Sequence, residues 1–415
     1  MTTISNSPEV RSPEISLANR LSGLLAGFAA FLLGVALPTA TSFVNIALVL
    51  IIICLIIQRD RLQFKALATN PIVYLPAVMF LLLAASLLFH HNDYGSEMVG
   101  KMKKLLYVLP LALFFLHQNR LIKLFGAGFL LANAVILAGS LLVGVLHVPL
   151  GAIDPANPTI FKLQITQNFF MALAAVLWLM LAFKSSGWKR LGYGVLVAGA
   201  CYSVLFLVLG RTGYVALVVG LGSWLFFSLG NRQRLGLVAL GIIAFAIIAL
   251  VPNRATDRIM LGVNEIKACM ASTSGDEYQA CNSSMGQRSA FAMEAARLIK
   301  QAPIMGNGAG GFFYSNPETG YKINNPHNQY LLETIQSGIL GLVIFLAWIV
   351  CCFRAAWQQD PKLRNLLLAL LCSYMACNFF NSFLLDYSEG HLFMILAAIL
   401  AGYSVSAKQN MPQTL

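Results

Sequence analysis

Carboxylates are scarce in this sequence, and none is arranged to hold a metal ion. Sixteen Asp and Glu are spread over 415 residues, no Asp-x-Asp occurs, and charged residues of both signs make up only 11%. A divalent-metal sugar transferase of the usual acidic-motif kind finds no ligand set here. A soluble globular domain is excluded too, since such domains average near a quarter charged. The eight cysteines form no CxxC pair, zinc spacing or haem signature. Six of them (Cys54, Cys201, Cys351, Cys352, Cys372 and Cys377) sit in apolar runs as small buried hydrophobes. Only Cys269 and Cys281 lie in polar surroundings, with eleven residues between them. Of the six histidines, five (His90, His91, His117, His147 and His391) mark the ends of apolar runs, and no pair has metal spacing.

What is present is apolar sequence. Hydrophobic residues make up 58% of the chain, and mean hydropathy is +0.73. About twenty such residues cross a bilayer core. Counted on that basis, twelve spans fall near 20–37, 41–58, 71–90, 99–117, 122–147, 163–183, 191–209, 212–229, 235–251, 328–353, 363–385 and 390–406. The expected fold is therefore an all-α polytopic integral membrane protein with about 12 transmembrane helices. It divides into a tail over 1–18, helices 1–9 over 19–251, a polar segment over 252–327, helices 10–12 over 328–406, and a tail over 407–415. The run ending at Ala36-Leu37-Pro38-Thr39-Ala40 resembles a signal-peptide cleavage site, but the topology needs it as an uncleaved first span.

Orientation follows from loop charge. With the N-terminus in the cytoplasm, the short basic loops holding Arg59, Arg61, Lys65, Arg120, Lys123, Lys184, Lys189, Arg190, Arg232, Arg234, Arg354, Lys362 and Arg364 fall inside, as the positive-inside rule asks. The segment 252–327 then faces outward. A few cations break the rule: Lys101, Lys103, Lys104, Lys162, Arg211 and those of the polar segment. A polyanionic ligand at the outer face explains them, and so do ordinary ion pairs, because 252–326 also carries six carboxylates. Lys267, Arg297, Lys300 and Lys322 read as a solvated face. Arg211 does not: it sits in Gly210-Arg211-Thr212-Gly213 between two apolar spans, where an ionisable group points to function.

Within the polar segment, residues 254–268 show no strong period, and 271–276 read as a loop. A helix is expected from Met285 to Gln301, with Phe291, Ala295, Leu298 and Ile299 on one face and Pro303 ending it. Arg288 falls in its first turn, where the helix dipole disfavours a cation. The run Gly306 to Gly311 lacks the Lys and Ser/Thr of a phosphate loop and reads as structural. In Asn325-Pro326-His327, Asn is a good N-cap and Pro a good first residue, so the tenth span starts there with His327 in its first turn. The dipole keeps that imidazole neutral and able to accept a proton.

The Gly-Arg-Thr-Gly hairpin, Gln287-Arg288, Pro303, the glycine run with Phe312, and Asn325-Pro326-His327-Asn328-Gln329 together resemble the O-antigen ligase family and its superfamily of O-antigen polymerases. The span pattern extends that likeness over nearly the whole chain. The resemblance implies a GT-C-like fold in a Gram-negative inner membrane with its active site facing the periplasm. It also implies transfer of O-antigen glycan from undecaprenyl pyrophosphate to the core oligosaccharide of lipid A, with inversion and without a metal or other cofactor. The implied partners are that donor, that acceptor and membrane lipids, with no nucleic acid. Carried over by position, His327 is the catalytic base, while Arg211, Arg288 and either Arg254 or Arg258 bind the pyrophosphate. Lys103, Lys104, Asn325, Asn328 and Gln329 support the site. In an oxidising compartment, Cys269 and Cys281 would form a disulfide.

Two other readings share parts of this pattern. An O-antigen polymerase or a protein O-oligosaccharyltransferase would use the same donor chemistry on a different acceptor. A transporter or flippase for an anionic lipid would also gather cations in a helical bundle, but the sequence shows neither the internal repeats nor the broken helices usual there.

Overall fold

The computed structural model describes residues 17–59, 62–239, 254–271, 281–315 and 322–409. Among the described residues, fifteen α-helices dominate, beside one two-stranded ribbon in which β1 (Tyr314–Ser315) pairs antiparallel with β2 (Lys322–Ile323). The terminal tails and the expected ninth span at 235–251 lie almost wholly outside the described residues, as does the loop at 272–276.

Long apolar runs without internal partners become helices, because a helix satisfies its own backbone in a medium that offers no water. Among the described residues, six helices are long and apolar enough to cross a membrane. They are α1 (Leu17–Thr39, its apolar part from Leu21), α7 (Asn119–Gly144), α8 (Gln164–Lys184), α9 (Gly187–Tyr202, continued by a π turn to Leu207), α13 (Gln329–Trp357) and α15 (Tyr387–Gln409). Shorter apolar helices are α2 (Thr41–Ile57) and α4 (Pro71–Ser86). A five-residue α3 (Phe64–Ala68) lies between them in the chain. The chain is thus a multi-pass, all-α bundle, and, besides α13, two of the twelve expected spans look different from their sequence. The stretch 99–117 is divided into α5 (Gly95–Met102), a 3-10 turn (Lys103–Tyr107) and α6 (Val108–Phe115). The stretch 363–385 is helical only as α14 (Pro361–Cys377), leaving 378–386 irregular.

Small residues set the closest helix approach. A side chain at Gly34 of α1 would meet the backbone of Phe125 and Phe129 in α7, and one at Gly128 of α7 would meet the backbone of Phe31 and Val35 in α1. Each helix presses its backbone into the gap left by the other's glycine, the usual solution where lipid removes the hydrophobic drive between helices. α10 (Arg211–Ser228) packs between α8 and α14, and α4 lies along α13, where Trp348 Nε1 donates to the carbonyl of Ile72 at 2.9 Å.

The polar segment is more helical than its sequence suggests. Residues 254–268, read as aperiodic, belong to α11 (Arg254–Ala271), which packs on α12 (Ser284–Gln301). Their ends are tied by a Cys269–Cys281 disulfide with Cα atoms 4.7 Å apart, and by Met285 N–H donating to Glu265 Oε2 at 3.1 Å. α12 in turn packs on α13 through Phe291, Ala295 and Leu298, which close on Phe312 and Ile335.

α13 is broken at Gly338, whose φ of 63° is left-handed. A break was not expected from the sequence. Residues 303–308 wedge into it: Asn307 and Gly308 N–H donate to the carbonyls of Ile335 and Gln336 at 2.7 and 3.0 Å, and Ile339 N–H donates to Pro303 O at 2.9 Å. The glycine run makes this possible. Gly306 abuts Gln336 and Gly338, and Gly310 abuts Tyr94 and Gly95, both at φ above 70° or equal to it.

Gly34→Ala and Gly128→Ala should each destabilise the protein by about 1–3 kcal/mol through overpacking. Gly126→Ala, where a methyl group meets nothing within 4 Å, should be neutral or stabilising. Thermal unfolding in detergent measures all three, and equal melting temperatures for the three variants would refute the close crossing.

Candidate active site

Four stretches converge at one end of the bundle. The first is α12. Ser283 caps it, its Oγ accepting from Gly286 N at 3.1 Å. That start lies ahead of the expected Met285, so Arg288 is the fifth helical residue and falls beyond the first turn. With the apolar face turned to Phe312 and Ile335, Arg288 stands half-buried on its flank.

The second stretch is the turn leading into α10. Asn168 Nδ2 donates to Val208 O at 2.9 Å, and Leu209 N–H donates to Asn157 Oδ1 at 2.9 Å. Gly210 and Gly213 lie hard against the Asn168 side chain, where a Cβ would collide. This pinned turn presents Arg211, exposed, as the first residue of α10.

The third stretch carries His327. Here the sequence reading needs correction, because Asn325 does not cap α13 and Pro326 is not its first residue. Asn328 is the cap, its side chain accepting from Leu331 N at 3.0 Å, and the helix begins at Gln329. Asn325 Oδ1 instead accepts from His327 N at 2.9 Å and from Ser382 Oγ at 2.6 Å. His327 thus precedes the helix, in left-handed backbone at φ 52°. That conformation costs a non-glycine residue roughly 1–3 kcal/mol. His117 and His147 share it, but they stand just past the C-caps Leu116 of α6 and Val145 of α7, in the stretch where a left-handed residue commonly ends a helix. His327 has no such excuse, and its turn is held from outside.

The fourth stretch, 378–386, supplies that hold. Gln329 N–H donates to Asn378 O at 2.9 Å, Asn328 Nδ2 to Phe379 O at 3.1 Å, and Leu384 N–H to Gln329 Oε1 at 3.1 Å. Asn381, buried, donates through Nδ2 to Thr212 Oγ1 at 2.8 Å, next to Arg211. Its side chain also acts on the His327 imidazole, favouring the protonated ring. With its amide nitrogen committed to Thr212, its carbonyl oxygen is left to accept an imidazole N–H, which frees the other ring nitrogen.

Electrostatics tie these pieces together. Burial, then the charge of Arg288, hold the His327 pKa below its ordinary value, while the Asn381 contact works the other way. Burial and the neighbouring Arg211 depress Arg288 as well. Arg211, Arg288 and His327, 116 residues apart at the extremes by numbering (327 − 211), therefore share one electrostatic environment. The Phe291 ring lies beside the imidazole, with centroids 5.9 Å apart.

The other expected site residues stand elsewhere. The side chains of Arg254 and Arg258 lie outside the described residues. Asn325, Asn328 and Gln329 fasten the turn as described. Lys103 is exposed, and Lys101 pairs with Glu97 at 2.6 Å. Lys104 is only 3% exposed and donates to the carbonyls of Leu385 and Asp386 at 2.8 and 2.6 Å, behind the loop that carries Asn381. Asp386 and Glu389 lie close to it, and Lys162 close to Glu389. Burial and Glu389 raise the Asp386 pKa. Sequence reasoning missed Asn381, Thr212 and the carboxylates Asp386 and Glu389 that lie about Lys104. The available signal was Asn378, Asn381 and Ser382 recurring inside the stretch 363–385 taken for a continuous span, with Asp386 just beyond it.

Residues 195–346 match the O-antigen ligase family. The matched region contains Arg211, Arg288 and His327 but not the loop 378–386. No curated protein matches the chain. The match supports a glycan-transferring function of the O-antigen ligase and polymerase kind, in a multi-pass membrane protein.

Because Arg288 lowers the His327 pKa and Asn381 raises it, Arg288→Gln should move the imidazole titration to higher pH and Asn381→Ala to lower pH. Histidine NMR spectra recorded against pH read both shifts. Movement of either variant in the opposite direction would contradict the arrangement.

Proposed function

We propose that the protein is an O-antigen ligase. It moves an O-antigen glycan from undecaprenyl pyrophosphate to a sugar hydroxyl of lipid A–core, at the periplasmic face of a Gram-negative inner membrane. The convergence of Arg211, Arg288 and His327, with the imidazole kept neutral and locked in a left-handed turn, carries this reading. The twelve-span, GT-C-like topology belongs to the same proposal, as does a third phosphate contact from Arg254 or Arg258. On that topology, α11, α12 and His327 face the compartment in which the Cys269–Cys281 disulfide persists.

The chemistry follows from side-chain type. An imidazole whose pKa is depressed is unprotonated at neutral pH and can take the proton of the acceptor hydroxyl as its oxygen attacks the anomeric carbon. The bond from that carbon to the pyrophosphate oxygen breaks on the opposite face, so configuration inverts. Undecaprenyl pyrophosphate leaves with the electron pair. Guanidinium groups are planar, always charged and bidentate toward phosphate, so Arg211 and Arg288 stabilise that developing charge without protonating it.

Purified protein incubated with undecaprenyl-pyrophosphate glycan and either lipid A–core or a second lipid-linked glycan, with chelator present, tests the assignment. Extension of lipid A–core is expected. Extension of the lipid-linked glycan alone would make the protein a polymerase. His327→Ala should lower transfer by about 10²–10⁴-fold. His327→Gln keeps a hydrogen bond but accepts no proton, so it should be as slow as Ala. Near-wild-type transfer by the Gln variant would sink the role of base. The acid limb of kcat/KM should fall below the ordinary histidine value of about 6.5, since the base works only when neutral and its pKa is depressed. Arg288→Lys should restore little, a point charge lacking the bidentate fork.

A further inference from the structure

At the end of the bundle opposite His327, four helices stand apart. α7 is drawn to α1, α8 to α9 and α10, α14 to α10, and α15 to α6. Between the near halves of α7, α8, α14 and α15 lies a cavity of about 500 Å³, within the range of small-ligand sites. Its walls are apolar, with Phe129, Leu173, Leu366, Phe393 and Ile399 all buried residues. Its mouth is charged. Lys123 at the start of α7, Lys184 at the end of α8 and Lys362 at the start of α14 line it there, each exposed. Asp360 lies there too, but its Oδ1 accepts from the N–H groups of Lys362 and Leu363 at 3.1 and 3.2 Å as the cap of α14.

The dimensions point to an occupant. The lining runs from Asn119 to Phe129 along α7 and from Leu173 to Lys184 along α8. At 1.5 Å per residue that is about 15 Å, half of a hydrocarbon core about 30 Å thick. The cleft is therefore one leaflet deep, apolar inside and cationic at the level of the headgroups. We propose that it binds one anionic glycerophospholipid, with an acyl chain in the cleft and the phosphate among Lys123, Lys184 and Lys362. Basic loops stay in the cytoplasm, so the lipid belongs to the inner leaflet, whose anionic headgroups attract such residues. Zwitterionic lipid would satisfy the walls without the full charge, and free phosphate the lysines without the walls. The inference stands apart from the arginine and histidine site at the other end.

Native mass spectrometry of the full-length protein, with phosphatidylglycerol or phosphatidylcholine added to the detergent, tests it. One phosphatidylglycerol should be retained at least about tenfold more strongly than phosphatidylcholine, given the attraction expected per lysine. The combined Lys123→Ser, Lys184→Ser and Lys362→Ser variant should lose that preference. Leu177→Trp, which projects a ring into the cleft from α8, should lose the bound lipid with the lysines intact. Equal retention of both lipids by the wild type, an unchanged preference in the triple variant, undiminished binding in Leu177→Trp, or displacement of the lipid by inorganic phosphate would each overturn the proposal.

Discussion

A chain this apolar cannot leave backbone N–H or carbonyl groups unpaired where water is absent. Each place where a helix breaks or ends inside the bundle must be completed by another segment. The break at Gly338 frees the carbonyls of Ile335 and Gln336, and residues 307–308 take them. The end of α14 frees Asn378 O, and the start of α13 supplies the Gln329 N–H. These two repairs fasten the polar segment and the 378–386 loop to the same helix, the one that His327 precedes. The candidate site is where two irregular stretches complete each other. A left-handed histidine persists there because its neighbours have few alternatives.

The same constraint explains a feature shared with transporters. Broken helices in those proteins leave backbone groups facing a cavity, where ions and substrates coordinate. In α13 the freed groups are consumed by the chain itself. The break therefore works as a dock for residues 303–308 and leaves no coordination shell. That dock places Phe312 against Phe291 and Ile335, and hence α12 and Arg288, at a defined distance from the bundle.

Much of this was legible in the sequence because it is written in hydropathy and turn chemistry. The apolar runs, the α12 face built on Phe291, Ala295 and Leu298, the isolation of Arg211 in a glycine hairpin and the singularity of His327 all follow from local pattern. What failed was local pattern with a distant partner. Asn325 and Asn328 are equally good caps by type, and only Ser382, 57 residues on, commits Asn325 to the turn and leaves the cap to Asn328. The 378–386 loop is apolar enough to read as helix, and its polar residues acquire meaning only against Thr212, Asn325 and Gln329. α11 is amphipathic, but its period is carried by a few apolar residues in a stretch that is polar on average, and reading it as aperiodic overlooked that pattern.

On the proposed reading, the proximity of Arg288 to His327 has two effects that pull against each other. The guanidinium keeps the imidazole neutral before reaction, which a base requires. It also disfavours the imidazolium that the base must become. A bound pyrophosphate resolves the conflict. Its negative charge offsets Arg211 and Arg288, so the imidazolium forms beside a neutralised pair instead of two bare cations. Asn381, accepting from the ring, stabilises the protonated form further. Proton uptake is thereby coupled to the presence of the donor: with the lipid pyrophosphate absent, the base is held off, and with it in place the same residues favour transfer. Metal-free catalysis of this kind needs no carboxylate near the reacting atoms. A fixed carboxylate would raise the histidine pKa whether or not donor were bound and remove the coupling, which accords with Asp386 and Glu389 being gathered about Lys104 behind the loop.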